Sequence, residues 1–395
     1  MFQHTQYKSY PLVLVEKGNF RLLTKWLDGL TTVDLSQVDV SGCNSIDSWL
    51  EQLEIQADLY VTHTAGTTGK LSFFPRSVLE QALYTFGALK LFEAFGEEAG
   101  ENIGFDGVRL PAMYPSSRHG RYAANRLLDG YSKYVTPTPD QVYTMTQGTL
   151  SADLVSLSGR VRVAQQKGEL DRMELDDSQK ITLKRYLQEQ DRRPQEVDQF
   201  MGQMMTELKG QKVFITTQMS YMSQAAEEGL KRGIKNVFHP DSVGLIGGGT
   251  KGAVITDNWE QQVREFTGMR DWRQAYAMSE MVGLNVMCPN KNYHIPPFHI
   301  PFLLDPETGK ELPRSGVQTG RYAFLDLLPS TYWGGLVTGD QVTIDWGGNC
   351  GCGRKGAFIH DSVSRYSEQV TGDDKVLCSA TVDNTDSALQ ALLAI

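Results

Sequence analysis

The segment from Thr62 to Lys70, with the sequence THTAGTTGK, carries the residue types best suited to binding a phosphate. Glycine lets the backbone approach a ligand closely and adopt positive φ, and successive amides and hydroxyls can converge on phosphate oxygens. A Walker A loop is excluded, because that pattern needs a glycine at Thr64 and a serine or threonine at Leu71. The residues therefore predict a phosphate loop of another kind, with an ordinary polar turn as the alternative.

The chain around this loop is patterned as alternating strands and helices. Ser77 and Glu80 have the spacing of a capping box at the start of a helix that we expect over residues 77–95. Strands are expected at residues 57–61, 107–114, 155–163, 212–217 and 242–246, and helices at residues 45–56 and 219–232. Such alternation argues for an α/β fold with a largely parallel sheet covered on both faces.

A charged stretch, residues 165–209, is predicted to form a solvated helical layer, with Pro194 opening a helix. Both signs of charge are mixed along it, which argues against an arm that binds nucleic acid. Near residue 260, Trp259, Val263 and Phe266 form the apolar face of another expected helix, which Gly268 closes.

A second glycine-rich segment follows the strand expected at residues 242–246. It consists of Gly247, Gly248, Gly249 and Thr250. Ligands in open α/β sheets bind beyond the carboxyl ends of the strands, so this segment can lie against a flat base. A flexible turn is the alternative interpretation.

The chain has five cysteines, at positions 43, 288, 350, 352 and 378. Cys288, His294, Cys350 and Cys352 offer three thiolates and one imidazole, the ligand set of a closed tetrahedral structural zinc site. The spacing is not that of a common zinc finger. His299 and His360 are rival ligands, and separate thiols with a core histidine are the alternative.

Composition and charge exclude several classes of partner. The 395 residues are 40% hydrophobic and 22% charged, with a formal net charge of −9, so no basic surface for nucleic acid or anionic membrane is expected. No apolar run approaches the roughly 18 residues of a membrane span, and the N-terminus lacks a signal peptide pattern. We therefore expect a cytoplasmic protein, and homodimerisation is left open.

Three later motifs, in order behind the phosphate loop, extend this pattern: YAMSE at residues 276–280, LVTGD at 336–340 and SRYSE at 364–368. Together with the phosphate loop they resemble the motifs of the adenylate-forming superfamily, which includes acyl-CoA synthetases, luciferases and adenylation domains. The sequence departs from the family pattern at Ala277 and Ser364, which stand for glycine, and at Ser367, which stands for aspartate.

The resemblance assigns roles to individual residues. It implies that the ATP phosphates are held by Thr64, Gly66, Thr67, Thr68, Gly69 and Lys70. Tyr276 would pack on the adenine, Ser279 would contact phosphate and Glu280 would help to hold Mg²⁺. Asp340 would bind the ribose hydroxyls, and Arg365 the ribose and phosphate. Substrate-facing residues would lie near a loop at residues 115–120, which suggests Tyr114, Ser116 and His119, although His119 also fits a solvated loop histidine.

The cysteine pattern resembles more closely the phenylacetate-CoA ligases and the acyl-protein synthetases of the LuxE type. These enzymes carry a similar cysteine, a nearby histidine and a C-x-C-G-R stretch, which implies a structural Zn²⁺ at the four residues named above. In the acyl-protein synthetases a cysteine near the C-terminus accepts the acyl group and passes it to a reductase partner. Cys378 has that place in this sequence, with a structural thiol as the alternative.

The resemblance implies a fold and a function. We expect residues 1–362 to form the large N-terminal domain of the superfamily, with two packed doubly wound sheets and a small β-barrel-like subdomain, and residues 363–395 to form the hinge and a reduced C-terminal segment. The activity would be ATP-dependent formation of an acyl-adenylate, followed by acyl transfer to a thiol of CoA, a carrier or a protein. Amide or ester formation on a small acceptor, and a degenerate nucleotide-binding protein, are the alternatives.

Overall fold

The computed structural model describes residues 1–64, 69–90, 107–173, 175, 177–247, 255–270 and 272–366. Its α-helices are α1 (Val13–Glu16), α2 (Phe20–Asp28), α3 (Ile46–Ala57), α4 (Val78–Lys90), α5 (Ala123–Tyr134), α6 (Ala152–Lys167), α7 (Asp177–Thr206), α8 (Met219–Lys231) and α9 (Trp259–Thr267). Short 3₁₀ helices lie at Gln6–Lys8 and Leu170–Arg172.

The described strands are β1 (Phe2–Gln3), β2 (Thr62–His63), β3 (Phe73–Phe74), β4 (Ala112–Gly120), β5 (Val142–Leu150), β6 (Phe214–Gln218), β7 (Val243–Gly247), β8 (Arg273–Tyr276), β9 (Asn285–Met287), β10 (Asn292–His294), β11 (His299–Leu304), β12 (Val317–Asp326), β13 (Gly335–Asp345), β14 (Phe358–His360) and β15 (Ser364–Arg365). The longest of them are β12 and β13, with 10 and 11 residues.

One mixed sheet runs through the described residues, and its main path has the order β11-β12-β13-β14-β10-β9-β8-β7-β6-β4-β5. The part from β8 to β5 is parallel, and the part from β8 to β11 is antiparallel. β1 and β15 add to β13, while β2 and β3 form a separate two-stranded hairpin. The α/β class is confirmed. The expected arrangement was two packed sheets with a small barrel-like subdomain, whereas the described strands form one large sheet with a parallel and an antiparallel part and one separate hairpin.

The parallel part of the sheet is covered on both faces. Neighbouring residues of a strand point to opposite faces, and in β6 Phe214 and Ile215 are both buried but belong to two different apolar clusters. Leu245 and Ile246 of β7 are likewise both buried and belong to different clusters. One cluster is completed by side chains of α4 and α5, and the other by side chains of α8 and α9, so the sheet lies between two helical layers.

Several local predictions agree with the structure. The helix expected at residues 219–232 is α8, and the apolar face around Trp259 belongs to α9, which ends at Gly268 with φ +76°. At the start of α4 the amide of Glu80 donates to Ser77 Oγ over 3.2 Å, and a Glu80 carboxylate oxygen accepts from the Ser77 amide over 2.5 Å. The predicted capping box is therefore confirmed.

Other local predictions are wrong. Residues 57–61 are not a strand, because α3 continues to Ala57 and the strand β2 begins only at Thr62. Residues 155–163 are helical, since Ser151 caps α6 and the buried Leu154, Leu157 and Val161 recur at helical spacing. Pro194 does not open a helix but lies inside α7.

The loop expected at residues 115–120 is instead the second half of β4. This half is paired in parallel with β5, although the register shifts near Ser117. The pairing satisfies backbone groups that a loop would expose, and it extends the strand to Gly120. Among the described residues no helix is long and apolar enough to cross a membrane.

Candidate functional site

The predicted phosphate loop starts at the carboxyl end of β2 and returns through β3. Two hydrogen bonds connect the residues on either side of the loop. The Thr64 amide donates to the Ser72 carbonyl over 3.1 Å, and the Ser72 amide donates to Thr64 Oγ1 over 3.0 Å. Gly69 has φ +75°, which L side chains rarely adopt, and a Cβ there would lie 3.1 Å from Val163 Cγ2. Gly66, Thr67 and Thr68 lie outside the described residues.

Lys70, the last residue of the loop, is held over an aromatic ring. Its Nζ lies 4.5 Å from the centroid of the Tyr10 ring, and Tyr10 Oη donates to the carbonyl of Leu71 over 2.9 Å. Burial and, to a smaller extent, the charge of Lys8 lower the pKa of Lys70. The N-terminal segment therefore fixes the exit of the loop and places a second cation beside its lysine.

Tyr276, at the end of β8, meets the aspartate of the later LVTGD motif. Tyr276 Oη donates a 2.7 Å hydrogen bond to Asp340 Oδ2. On the other side of the carboxylate, Arg365 Nε lies 3.6 Å from Asp340 Oδ1, and the two residues are paired between β13 and β15. Burial and then the Asp340 carboxylate raise the pKa of Tyr276 well above its ordinary value, so the phenol stays a donor. Three motifs that are distant in sequence thus converge on Asp340.

Glu280 lies in the turn that follows Tyr276, at the edge of the same cluster. Burial, with a smaller contribution from Asp340, raises the pKa of the Glu280 carboxyl, while the charges of Arg365 and Lys8 act in the opposite direction. Glu280 therefore lies within electrostatic range of Asp340, Arg365 and Lys8. Ser279 is half-buried, and its backbone carbonyl accepts a 2.8 Å hydrogen bond from Arg76.

The N-terminal segment also contributes to this site, which no sequence motif indicates. β1 pairs in parallel with Leu336 and Val337 of β13, and the amide of His4 continues the pairing with a 2.9 Å hydrogen bond to the Val337 carbonyl. A Cβ atom added to Gly339 would lie 3.4 Å from His4 Cε1. Burial, followed by the charge of Lys8, lowers the pKa of His4. No local motif marks this segment, because its partners are more than 300 residues away.

The structure separates the three residues expected to face the acyl substrate. Tyr114 and Ser116 are buried within β4, whereas His119 is exposed near its end. The Tyr114 ring packs edge-on against Tyr221, with centroids 6.0 Å apart, and burial raises its pKa well above the ordinary value. Tyr221 belongs to the start of α8, just after the carboxyl end of β6. Tyr114 and Ser116 stay candidates for the substrate pocket, and His119 lies apart from them.

The second glycine-rich segment begins where expected. Gly247 ends β7 and is paired with Gln218 of β6 and Ala275 of β8, which places it at the carboxyl edge of the parallel strands, next to Tyr276. Gly248, Gly249 and Thr250 lie outside the described residues, as does Cys378.

The four predicted zinc ligands come together in the antiparallel part of the sheet. The Sγ and Nε2 atoms of Cys288, His294, Cys350 and Cys352 all lie within 4.8 Å of one another. Cys288 Sγ is 3.5 Å from Cys350 Sγ, and Cys352 Sγ is 3.2 Å from His294 Nε2. The rival His299 faces Asp326 instead, with its Nε2 3.3 Å from Asp326 Oδ2.

The geometry of this cluster fits a tetrahedral metal. Zinc–sulfur bonds of about 2.3 Å place two sulfurs roughly 3.8 Å apart, close to the observed Cys288–Cys350 distance, whereas a disulfide needs about 2.05 Å. Burial and then the charge of Arg354 lower the pKa of His294 to about 4, so its imidazole is neutral, as a metal ligand must be. Burial raises the pKa of Cys288 to about 11, so a bound cation would be needed to favour its thiolate. The residues fit a structural Zn²⁺.

The sequence matches no protein-family model and no curated protein. Solved structures do show similarity. The ATP-bound MatB from Rhodopseudomonas palustris is 14% identical, covers 78% of this chain and 48% of its own, and gives a TM-score of 0.42. A 2-hydroxyisobutyryl-CoA ligase in complex with 2-HIB-AMP and CoA is 11% identical over 93% of this chain and 79% of its own, with a TM-score of 0.46. The amide bond synthetase McbA from Marinactinospora thermotolerans is 15% identical over 77% and 48%, with a TM-score of 0.38.

These three proteins are adenylate-forming enzymes, the superfamily that the sequence motifs resemble. The chain spans about half the length of the MatB structure. With identities of 11–15% and TM-scores below 0.5, the similarity concerns the fold and carries no argument about activity. The function must therefore be argued from the residues of this chain.

Proposed function

We propose that this protein uses ATP to convert a carboxylic acid to an acyl-adenylate, with release of pyrophosphate. The observation that carries the proposal is the convergence on Asp340, where Tyr276 lies at 2.7 Å and Arg365 at 3.6 Å. Each of these residues belongs to a different motif of the resemblance, and the motifs are separated by up to 89 positions between residues 276 and 365. The contacts between three motifs so far apart in the sequence support a shared site.

The nucleotide would lie along the carboxyl edge of the parallel strands. Asp340 and Arg365 would bind the ribose, the Tyr276 ring would face the base beside Gly247, and the loop from Thr64 to Lys70 would bind the phosphates. Glu280 would hold a Mg²⁺ that travels with the nucleotide, since such a cation needs few protein oxygens. Lys70, Lys8 and Arg365 would supply positive charge around the phosphates.

In this proposal the protein contributes positioning and charge to the first reaction. A carboxylate oxygen of the substrate forms a bond to the α-phosphorus of ATP, the bond from that phosphorus to the bridging oxygen breaks, and pyrophosphate leaves with the electron pair. Fixed cations near the leaving group stabilise the charge that develops on it, and a bound geometry that aligns the two reactants lowers the entropic part of the barrier.

For the second reaction we propose transfer of the acyl group to a thiol. Cys378 is the proposed acceptor within the chain, and CoA or a carrier thiol is the external alternative. The thiolate would attack the acyl carbon and AMP would leave. Residues 363–395 would form the hinge and the segment that delivers Cys378, next to an N-terminal domain of residues 1–362, and the setting would be the cytoplasm.

For the cysteine and histidine cluster we propose a structural Zn²⁺. It would connect the segment between β9 and β10 to the loop between β13 and β14. With four protein ligands it has no open position for a water molecule, so it would take no part in the chemistry.

The test of the proposed function is exchange of labelled pyrophosphate into ATP, measured with a panel of aryl, short-chain and long-chain carboxylic acids. Exchange that depends on an added acid supports adenylation and identifies the substrate class. Binding of ATP with no exchange under any acid would contradict it and would favour a nucleotide-binding role.

A further inference from the structure

The backbone that carries Glu280 is held by side chains from distant parts of the chain. Arg76 Nη2 donates to the carbonyl of Ser279 over 2.8 Å and to the carbonyl of Met281 over 2.7 Å. Tyr332 Oη donates to the carbonyl of Glu280 itself over 3.0 Å. Two side chains thus satisfy three consecutive carbonyls in the turn between β8 and β9.

Arg76 is itself fixed on the phosphate-loop side of the site. It follows β3 by two residues and is completely buried. Its guanidinium carbon lies 4.5 Å from the centroid of the Tyr84 ring of α4, and its carbonyl accepts a 2.7 Å hydrogen bond from the amide of Tyr60, just before β2. A displacement of the β2–β3 hairpin would therefore be transmitted through Arg76 to the turn at Glu280.

Tyr332 is tied to the same region by the start of α4. One carboxylate oxygen of Glu80 accepts from the amides of Ser330 and Thr331, over 2.5 Å and 2.9 Å. The Thr331 hydroxyl also donates to the carbonyl of Pro75, which precedes Arg76. Glu80 thus has two functions, since it caps α4 and it orders the residues that lead to Tyr332.

The amides that follow Glu280 are held by a third element. Asp326, at the end of β12, accepts through Oδ2 from the amides of Val282 and Gly283, over 2.7 Å and 3.1 Å. His299 Nε2 lies 3.3 Å from this Oδ2 atom, and both side chains are completely buried. Hydrogen bonds therefore hold five backbone atoms between residues 279 and 283. They restrain the backbone to which the Glu280 side chain is attached.

We propose that Arg76 and Tyr332 are positioning residues, which set Glu280 for the divalent cation of the nucleotide and couple its position to the phosphate loop. This inference rests on the proposed function. Groups that orient a metal ligand typically change metal affinity or activity by about 10–100-fold when they are removed. Both residues would act through the backbone of residues 279–281, which they contact directly.

The test compares Arg76→Lys and Tyr332→Phe with Arg126→Lys, a control that alters a buried arginine paired with Glu54. The readout is the Mg²⁺ dependence of pyrophosphate exchange. We expect the half-saturating Mg²⁺ concentration to rise about 10-fold or more in Arg76→Lys and about fivefold in Tyr332→Phe, with little change in the KM of the acid. The control should keep the wild-type Mg²⁺ dependence.

A rate that falls in both variants with unchanged Mg²⁺ dependence would overturn the inference and leave Arg76 a purely structural residue. If Arg76→Lys fails to fold, Tyr332→Phe decides alone, since it removes one hydroxyl and keeps the ring. Binding of Mn²⁺ in the presence of ATP, followed by electron paramagnetic resonance, needs no turnover and separates the two claims. Absent exchange in the wild type refutes the proposed function, whereas equal Mn²⁺ affinity in wild type and variants refutes the positioning role.

Discussion

The phenol of Tyr276 donates a 2.7 Å hydrogen bond to Oδ2 of Asp340, and the two residues lie 64 positions apart in the sequence. The bond occupies one oxygen of a carboxylate whose other oxygen faces Arg365. The carboxylate is therefore oriented from both sides, by a neutral donor and by a cation. If Asp340 binds the ribose, this orientation is what prepares it for the hydroxyl groups.

Asp340→Asn should weaken the binding of ATP more than it slows the reaction. Asparagine keeps the size of the side chain but lacks the negative charge that attracts Arg365 and strengthens the hydrogen bond from Tyr276. We expect the KM for ATP to rise about tenfold, which corresponds to about 1.4 kcal/mol, with a smaller change in kcat. The matched control is Asp345→Asn on the same strand, whose carboxylate bonds only the nearby amide of Gly347 in the described part of the chain. Equal effects in the two variants would argue against a role of Asp340 in nucleotide binding.

The purified protein should contain about one zinc ion per chain. A variant with Cys350→Ser and Cys352→Ser should lose it, because two of the four ligands are gone, and should melt at a lower temperature, since the free energy of metal binding contributes to folding. Cys43→Ser is the control, because Cys43 lies outside the cluster. Elemental analysis and thermal unfolding provide the measurements. Full zinc occupancy in the double variant would rule the site out.

Asp153 should make the stability of the N-terminal helices pH-dependent. Asp153 Oδ1 and Oδ2 accept from the amides of Ile46 and Asp47 at the start of α3, over 2.8 Å and 3.0 Å, while Asp47 accepts from the amide of Ala152 at the start of α6. Each helix is thus capped by an aspartate of the other. Burial, and then the charge of Asp47, raise the pKa of Asp153 to about 7.

The sign of the expected effect follows from this raised pKa. The folded protein holds the proton of Asp153 more tightly than the unfolded chain, whose aspartates titrate near pH 3.9, so the contribution of protonation to stability is lost as the pH rises from about 4 to about 7. Between about pH 5 and about pH 8 the free energy of unfolding should fall more in the wild type than in Asp153→Asn, which resembles the protonated form. Denaturant unfolding at both pH values measures the difference. Parallel pH profiles of wild type and variant would contradict the prediction.

Cys378→Ala should separate the two proposed half-reactions. If Cys378 accepts the acyl group, the variant should still catalyse pyrophosphate exchange but should lose covalent label from a radioactive acid, because no thioester forms on the chain. Cys43→Ser again provides the control. Covalent label that persists in Cys378→Ala would exclude this thiol as the acceptor.

The sequence predicts which residues lie close together where they belong to contiguous motifs. Tyr276, Asp340 and Arg365 come from three separate motifs, and they meet in the structure, while their roles toward a nucleotide stay predictions. The four residues of the cysteine and histidine cluster also lie together as expected, because thiols and imidazoles are few and their chemistry is specific, while a bound metal stays a prediction. Helices with clear caps and apolar periodicity, such as α4 and α9, were also predicted correctly.

Contacts between distant segments could not be predicted. Lys8 and His4 reach the site only because β1 pairs with β13, and a two-residue strand leaves no periodic pattern. Arg76 stands in the run SFFPRS, where a single arginine among apolar residues is the only sequence signal of its burial. The strand expected at residues 155–163 failed because short apolar runs fit both periods, and the cap at Ser151 decided for a helix.

A comparison of pyrophosphate exchange in the wild type and in Glu280→Gln tests whether the protein forms an acyl-adenylate with Glu280 as the Mg²⁺ ligand. Glutamine preserves the shape of the side chain, so the backbone contacts with Arg76 and Tyr332 should persist. It removes the negative charge that would hold Mg²⁺. We expect exchange in the wild type that requires one class of carboxylic acid, and a loss of about 100-fold or more in Glu280→Gln. Exchange that is equal in the two proteins, or that proceeds without any added acid, would contradict this expectation.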